Sequence, residues 1–240
     1  TYWRYYEALY GIFERVRKRF PDLILENCAG GGGRTDIGLV RLFSHTWVTD
    51  YQVAPRSFSI TNGMTIALPP EYVDRHLLGV GQNPHVAGEL DFQARLSLFG
   101  RPTIAGILSP VGAIPNPNQV KRIKQAVELY KNFVRPFQAT SRIYHHTPIT
   151  TERNPSGFGA LEMVAEDCSR AITGIFNLGN TDQKEYLFRF RGLDVEKRYR
   201  VTTDSTGKTW TADGKDLVYS GVMIRLEAAL TSELLICEAI

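Results

Sequence analysis

The first 138 residues predict an α/β fold built on a parallel sheet, and residues 139–240 predict an antiparallel β-sandwich. Three observations carry this division. Helix-period and strand-like runs alternate through the first part, as βα units require. Near Pro136 the helical periods give way to short alternating runs separated by turn residues. Two strand-like runs, ending near Asn27 and near Asp50, each lead into a polar cluster bearing a carboxylate. In parallel α/β proteins, chemistry sits at the C-terminal ends of the strands.

The elements follow in order. Residues 2–20 carry Tyr6, Leu9, Tyr10, Phe13, Val16 and Phe20 at three- and four-residue spacing, the mark of an amphipathic helix. Arg15, Arg17, Lys18 and Arg19 crowd its last turns, where cations suit the helix dipole, and Pro21 stops it. Residues 23–25 form a short apolar strand suited to cover on both faces. A helix is expected over 35–43, with Asp36 near its start, and a second strand over 46–49. Residues 56–62 read as helix and 65–68 as a third strand, ended by Pro69-Pro70. A loop-rich stretch follows, marked by Gly79, Gly81, Asn83-Pro84 and Gly88. Then come a helix over 89–99, a fourth strand over 103–108, a loop holding Pro110, Pro115 and Pro117, and a helix over 119–133. Four strands are half the number in an eight-stranded barrel. In the second part, strands are expected over 171–176, 185–190, 199–203, 222–226 and 234–238. Asn177-Leu178-Gly179-Asn180, the 204–207 stretch and Asp213-Gly214 are the turn signals.

Composition excludes several classes of partner. The 240 residues are 43% hydrophobic and 22% charged with a net charge of +3, an ordinary globular balance. No Lys/Arg block suggests a nucleic-acid groove, and the apolar runs are too short and broken to span a membrane. The start, Thr1-Tyr2-Trp3-Arg4, has no signal-peptide form and reads like the middle of a longer chain. Cys28, Cys168 and Cys237 form no CxxC or CxxH pair, so neither a zinc site nor a disulfide framework is expected. They read as reduced thiols, Cys168 and Cys237 packed in strands, and they lean toward a cytoplasmic setting. No cofactor and no metal are implied.

Residues 23–50 hold the candidate site. Gly30 to Gly33 follow a strand, but neither the G-x-G-x-x-G spacing nor the Gly-Lys-Ser/Thr of a phosphate loop is present. A tight turn needs fewer than four glycines. Such a run lets a bulky ligand approach the backbone and its N–H donors, which suits a hydroxyl-rich ligand such as a sugar. Asp50 ends a strand just after Trp47: an indole can pack on a sugar ring while the acid serves the glycosidic oxygen. Asp50 equally fits a helix N-cap. Asp36 suits a cap or a partner of Arg34, and Glu26 a contact in or just behind the site. His76 and His85 are placed in the loop after the third strand, and His145-His146 at the junction without partners at metal-ligand spacing.

The run from Glu26 through Cys28 and Gly30–Gly33 to Arg34 and Asp36 resembles the E-x-C-[SA]-x-G-G-G-R-x-D segment of glycoside hydrolase family 36. Trp47-Val48-Thr49-Asp50, with Ala54 and Arg56, resembles its W-x-S-D-x-x-D-A-x-x-R segment. Phe20-Pro21-Asp22 and, in the sandwich, Arg191-Gly192-Leu193-Asp194 with Tyr199 and Val201 also fit. The resemblance implies the second half of a (β/α)8 TIM barrel (residues 1–138) followed by the C-terminal β-sandwich (139–240) of a retaining α-glycosidase acting on terminal α-galactosides such as melibiose. Asp50 would be the general acid/base. Cys28, Gly30 and Gly31 would contact the sugar, with Trp47, Arg34 and Glu26 in support. Thr49 replaces the family's Ser, and Val53 stands where a second Asp is common. The K-W-D-x-N segment that holds the family's nucleophile is absent. This implies a chain that needs the missing N-terminal portion of the enzyme as its partner, within a homo-oligomer. Two other readings stand beside it: an inactive carbohydrate-binding homologue, and an α-N-acetylgalactosaminidase or transglycosidase of the same family.

Overall fold

The computed structural model describes residues 2–52, 54–77, 90–104 and 116–240. Gly79, Gly81, Asn83-Pro84, Gly88, His85, Val53, Pro110, Pro115 and residues 105–108 lie outside them.

Helix α1 (Tyr2–Arg19) forms as its apolar period demands, with Arg17, Lys18 and Arg19 in its last turn. Leu9, Tyr10 and Phe13 pack on Leu39, Leu42 and Phe43 around the short helix α2 (Ile37–Val40). Arg17 bonds the carbonyls of Leu42 (2.6 Å) and Leu23 (2.6 Å) and the Ser44 hydroxyl (2.9 Å), fixing the turn after the helix. Asp36 caps α2: it accepts from the Leu39 amide at 2.9 Å and from the Tyr10 hydroxyl at 2.8 Å. Arg34 is not its partner.

Four short strands run parallel. β1 (Glu26–Asn27) pairs β2 (His45–Thr46), Thr46 bridges Val73, and β3 (Asp74–Leu77) pairs β4 (Arg101–Ile104). The first strand thus lies beyond residues 23–25. Leu23 and Ile24 are exposed, and Leu25 turns its backbone to Ser44 and its side chain to α1 and α2. The second ladder begins at His45, one residue before the expected start, and carries on only as the bond from the Trp47 amide to the Asn27 carbonyl. Residues 65–67, expected in a strand, are the last turn of helix α3 (Arg56–Ala67). Thr61 and Thr65 donate their hydroxyls to the carbonyls of Ser57 and Thr61, four residues back, so these buried hydroxyls are satisfied within the helix. The true third strand is Asp-Arg-His-Leu, whose polar side chains hide it from an apolar-run search. Helix α4 (Leu90–Ser97) lies where expected. β4 begins two residues early, at Arg101. Helix α5 (Pro117–Leu129) begins on Pro117 itself, behind a capping box of Asn116 and Gln119. A π-turn (Tyr130–Val134) and helix α6 (Arg135–Gln138) complete this part.

The remainder is antiparallel. β5 (Arg142–His145), β6 (Gly157–Val164), β7 (Arg170–Gly179), β9 (Arg198–Thr203), β10 (Thr209–Asp213) and β12 (Ser232–Ala239) form one six-stranded sheet in the order β10-β9-β12-β7-β6-β5. β8 (Glu185–Phe188) and β11 (Val222–Arg225) form a small second layer, joined by helix α7 (Gly214–Tyr219). Asp213-Gly214 opens that helix rather than a hairpin. Cys237 lies in β12, and burial pushes its thiol well up. Cys168 is instead in the β6–β7 turn at φ +55°, not in a strand.

The central strands of the large sheet, β6, β7 and β12, are buried on both faces. Leu161, Met163, Ile172, Phe176 and Leu234 pack against Phe58, Phe92, Leu96 and Phe99 of α3, α4 and the turn after it. Ala160, Val164, Ala171, Ile175, Leu235 and Cys237 face β8, β11 and α7 across Phe188, Phe190, Ile224 and Leu217. An ionic cluster reinforces the first face. Asp204, at the end of β9, accepts from Arg95 of α4 (2.7 Å) and Arg122 of α5 (2.6 Å), and Arg122 also pairs with Asp91. Arg95 is buried and reaches the Ser232 carbonyl of β12 as well. Asp204→Asn is therefore expected to cost about 1–3 kcal/mol, because the buried Arg95 guanidinium loses its nearest counter-charge and keeps only Glu233, at 4.0 Å. Thermal unfolding checks this, and an unchanged Tm would show that the two arginines rearrange freely.

Candidate active site

The glycine run meets the segment that follows β2, so Asp50 stands in a turn beyond the strand and not at its last residue. Gly30, Gly31 and Gly32 hold φ of +56°, +71° and +96°, backbone that only glycine adopts at little cost. A methyl group on Gly31 would lie 2.4 Å from the Asp50 nitrogen and 2.8 Å from its carboxyl carbon. One on Gly32 would lie 2.4 Å from the Val48 carbonyl oxygen. The glycines therefore let the loop after β1 lie directly on the Val48–Asp50 backbone. Gly30 has open space around the same position, leaving its face free to a ligand.

Asp50 is exposed. Its Oδ1 accepts from the Trp47 indole Nε1 at 2.9 Å. Thr49 holds the turn that presents it: its hydroxyl accepts from the Tyr51 amide at 3.0 Å and its carbonyl from the Gln52 side chain at 2.7 Å. The hydroxyl is the group Thr shares with Ser, so the Thr49 departure keeps the function used here. Arg56 stacks over Tyr51 at 4.8 Å.

Of the other residues singled out, Cys28 is a free, exposed thiol at the mouth of the loop. Arg34 supports it from behind: its guanidinium donates to the Cys28 carbonyl at 2.9 Å and to the Tyr5 hydroxyl at 3.4 Å. Asn27, unmarked by the sequence, ties the pieces together through Nδ2, bonding the Arg34 carbonyl at 3.0 Å and the Thr46 hydroxyl at 2.9 Å. Glu26 lies one layer below, its carboxylate 4.0 Å from His45 Nδ1, which in turn contacts the buried Asp74 at 2.5 Å. Among the described residues these three could converge on a cation, their donor atoms lying within 4.8 Å of one another. His45 and Asp74 already satisfy each other.

His76 is on β3, not in a loop, and it is buried. Its ring meets the Trp47 indole edge-on with centroids 3.7 Å apart. Burial outweighs the pull of Asp74 and Asp50 and brings its pKa down to about 4, so the imidazole is neutral near pH 7. Its place was legible only as strand spacing, two residues beyond Asp74. His145 and His146 serve the fold: His145 bonds the Asn62 side chain (2.8 Å) and His146 the buried Glu162 (2.8 Å).

Residues 1–139 match the melibiase family, and residues 159–236 match the glycosyl hydrolase family 36 C-terminal domain. The chain is 28% identical over 238 residues to alpha-galactosidase C of Emericella nidulans, covering 98% of this chain and 30% of that protein. It is 27% identical over 224 residues to alpha-galactosidase AgaA of Geobacillus stearothermophilus, covering 92% and 29%. The crystal structure of the GH36 alpha-galactosidase AgaA superposes with a TM-score of 0.80 at 23% identity, over 97% of this chain and 31% of that one. The chain spans about 30% of the length of these relatives. With a glycine loop seated on a Trp–Asp pair and matches running over both its parts, the chain belongs to the melibiase family of glycosyl hydrolases, within family 36.

Proposed function

We propose that this chain is the acid/base-bearing part of a retaining α-galactosidase. The observation that carries the reading is the seating of Gly31 on Asp50 while the Trp47 indole holds the carboxylate. The open backbone at Gly30 and the Cys28 thiol offer a floor for a sugar ring. Exposed Asp50 can give its proton to the leaving oxygen and then take one from water. Retention needs a second carboxyl about 5 Å away. No Trp-Asp segment exists in the sequence to supply it, so the nucleophile belongs to polypeptide outside this chain. The four in-order parallel strands are then the second half of an eight-stranded barrel, with β1 and β4 pairing to the other half. Substrates are terminal α-galactosides of the melibiose and raffinose type, and the assembled enzyme is a homo-oligomer.

The test is hydrolysis of p-nitrophenyl α-galactoside and melibiose by the complete enzyme and its Asp50→Asn variant, with the anomer of the first product read by NMR. Hydrolysis with retention, lost by about 10²–10⁴-fold on melibiose in the variant, is expected. A complete enzyme that binds galactose in calorimetry but cleaves neither glycoside would replace the hydrolase by a carbohydrate-binding protein. An active Asp50→Asn variant would move the acid elsewhere.

A further inference from the structure

His76 has no assigned part in the site, yet it touches the one side chain that holds Asp50. Trp47 is only half buried at the end of a strand, and its indole N–H can aim at Asp50 only in one ring orientation. Backbone pairing does not set that orientation, because the ladder ends at Thr46 and a single bond from the Trp47 amide. The imidazole of His76 lies against that ring, 3.7 Å away between centroids and inclined at 61°. His76 cannot yield, being buried in β3, which is itself paired to β4.

The contact with Trp47 is ring against ring. Nε2 is buried without a hydrogen-bond partner among the described residues, so that nitrogen anchors nothing there and the flat, rigid ring is what faces the indole.

We propose that His76 is a positioning residue: its ring clamps the Trp47 indole in the orientation that presents the indole N–H to Asp50. This rests on the acid/base reading of Asp50. The chain of contact runs from the floor of β3 through one aromatic pair to the carboxylate, so loss of the ring acts on proton delivery to the leaving group and not on the rest of the site.

The experiment compares His76→Ala and His76→Phe in the complete enzyme with two galactosides, melibiose, whose leaving sugar needs a proton, and 2,4-dinitrophenyl α-galactoside, whose leaving group does not. His76→Ala is expected to lower kcat/KM for melibiose by about 10–100-fold while changing the dinitrophenyl value by less than about 3-fold. His76→Phe, which keeps a ring, restores most of the melibiose loss. Equal losses on both substrates, or no rescue by Phe, would overturn the clamp. A second readout does not need activity. In enzyme carrying 5-fluorotryptophan, the ¹⁹F signal of Trp47, assigned by its absence in Trp47→Phe, is expected to move in His76→Ala and to stay in His76→Phe. A signal indifferent to both changes overturns the clamp as well. Wild-type enzyme that cleaves neither glycoside would sink the hydrolase reading while leaving the fluorine signal to decide the contact.

Discussion

Gly31→Ala is expected to remove nearly as much melibiose hydrolysis as Asp50→Asn, on the order of 10²–10⁴-fold, although residue 31 carries no chemistry. The cause is geometric. The new methyl would lie 2.4 Å from the Asp50 nitrogen and 3.0 Å from Oδ1, and the first of these is backbone, which cannot swing aside. Either the glycine loop lifts or the Asp50 segment retreats. In both cases the carboxylate leaves the Trp47 N–H and the sugar floor separates from the acid. The positive φ adds strain of about 1–3 kcal/mol for any residue with a Cβ. Gly30→Ala separates strain from contact: it carries similar strain at φ +56°, but its methyl would meet no protein atom within 4 Å, so the Trp47–Asp50 contact stays and the methyl intrudes only on the sugar floor. Its loss should therefore show mainly as a raised KM, whereas Gly31→Ala should lower kcat. Steady-state kinetics of the two variants in the complete enzyme decide the matter. Equal losses in kcat would mean that strain alone governs the loop, and that its contact with Asp50 is incidental.

Glu162→Ala should produce the largest loss of stability, about 3–5 kcal/mol. Glu162 is fully buried in β6, yet its carboxylate is satisfied. It accepts from the amides of Arg191 (2.9 Å) and Gly192 (2.9 Å) and faces His146 Nε2 at 2.8 Å. Truncation leaves these polar groups without their acceptor in an apolar layer beside Phe188 and Phe190. Glu162→Gln keeps one carbonyl acceptor but turns an NH₂ toward a donor, at about 1–3 kcal/mol. Urea denaturation should show midpoints lowered by about 1–2 M for Ala and by less for Gln. An Ala variant that unfolds at the wild-type midpoint would mean the Arg191–Gly192 segment carries no structural demand.

The parts of this molecule that could be read from residues alone are those where one physical requirement dominates. Four consecutive glycines beside a polar strand end announce a backbone that must be approached closely, and the approach is made by Asp50. The apolar periods of residues 2–20 and 119–133 announce helices. Where two requirements compete, the reading failed. Residues 65–68 suggest a strand, but Thr65, like Thr61 in the turn before it, bonds its own helix. β3 is a strand whose residues Asp74 and His76 face His45 and Trp47, so it carries no apolar run. β6 was missed because Gly157, Gly159 and Glu162 interrupt it. Two of these three have visible reasons: a methyl on Gly159 would strike Phe58 at 2.5 Å, and Glu162 anchors the loop after β8. Buried polar residues that answer to distant partners leave no periodic trace.

The apolar seam in which Phe58, Phe92, Leu96 and Phe99 interleave with Leu161, Phe176 and Leu234 has a consequence for inheritance. Residues matched by two separate family descriptions contribute to a single packed interior, so neither stretch has a finished surface to offer a new neighbour. A recombination joining the first stretch of one relative to the second of another would have to match ring for ring across this seam. Exchange within the family should therefore carry both stretches together, and crossovers that survive should fall on either side of the pair rather than between its members.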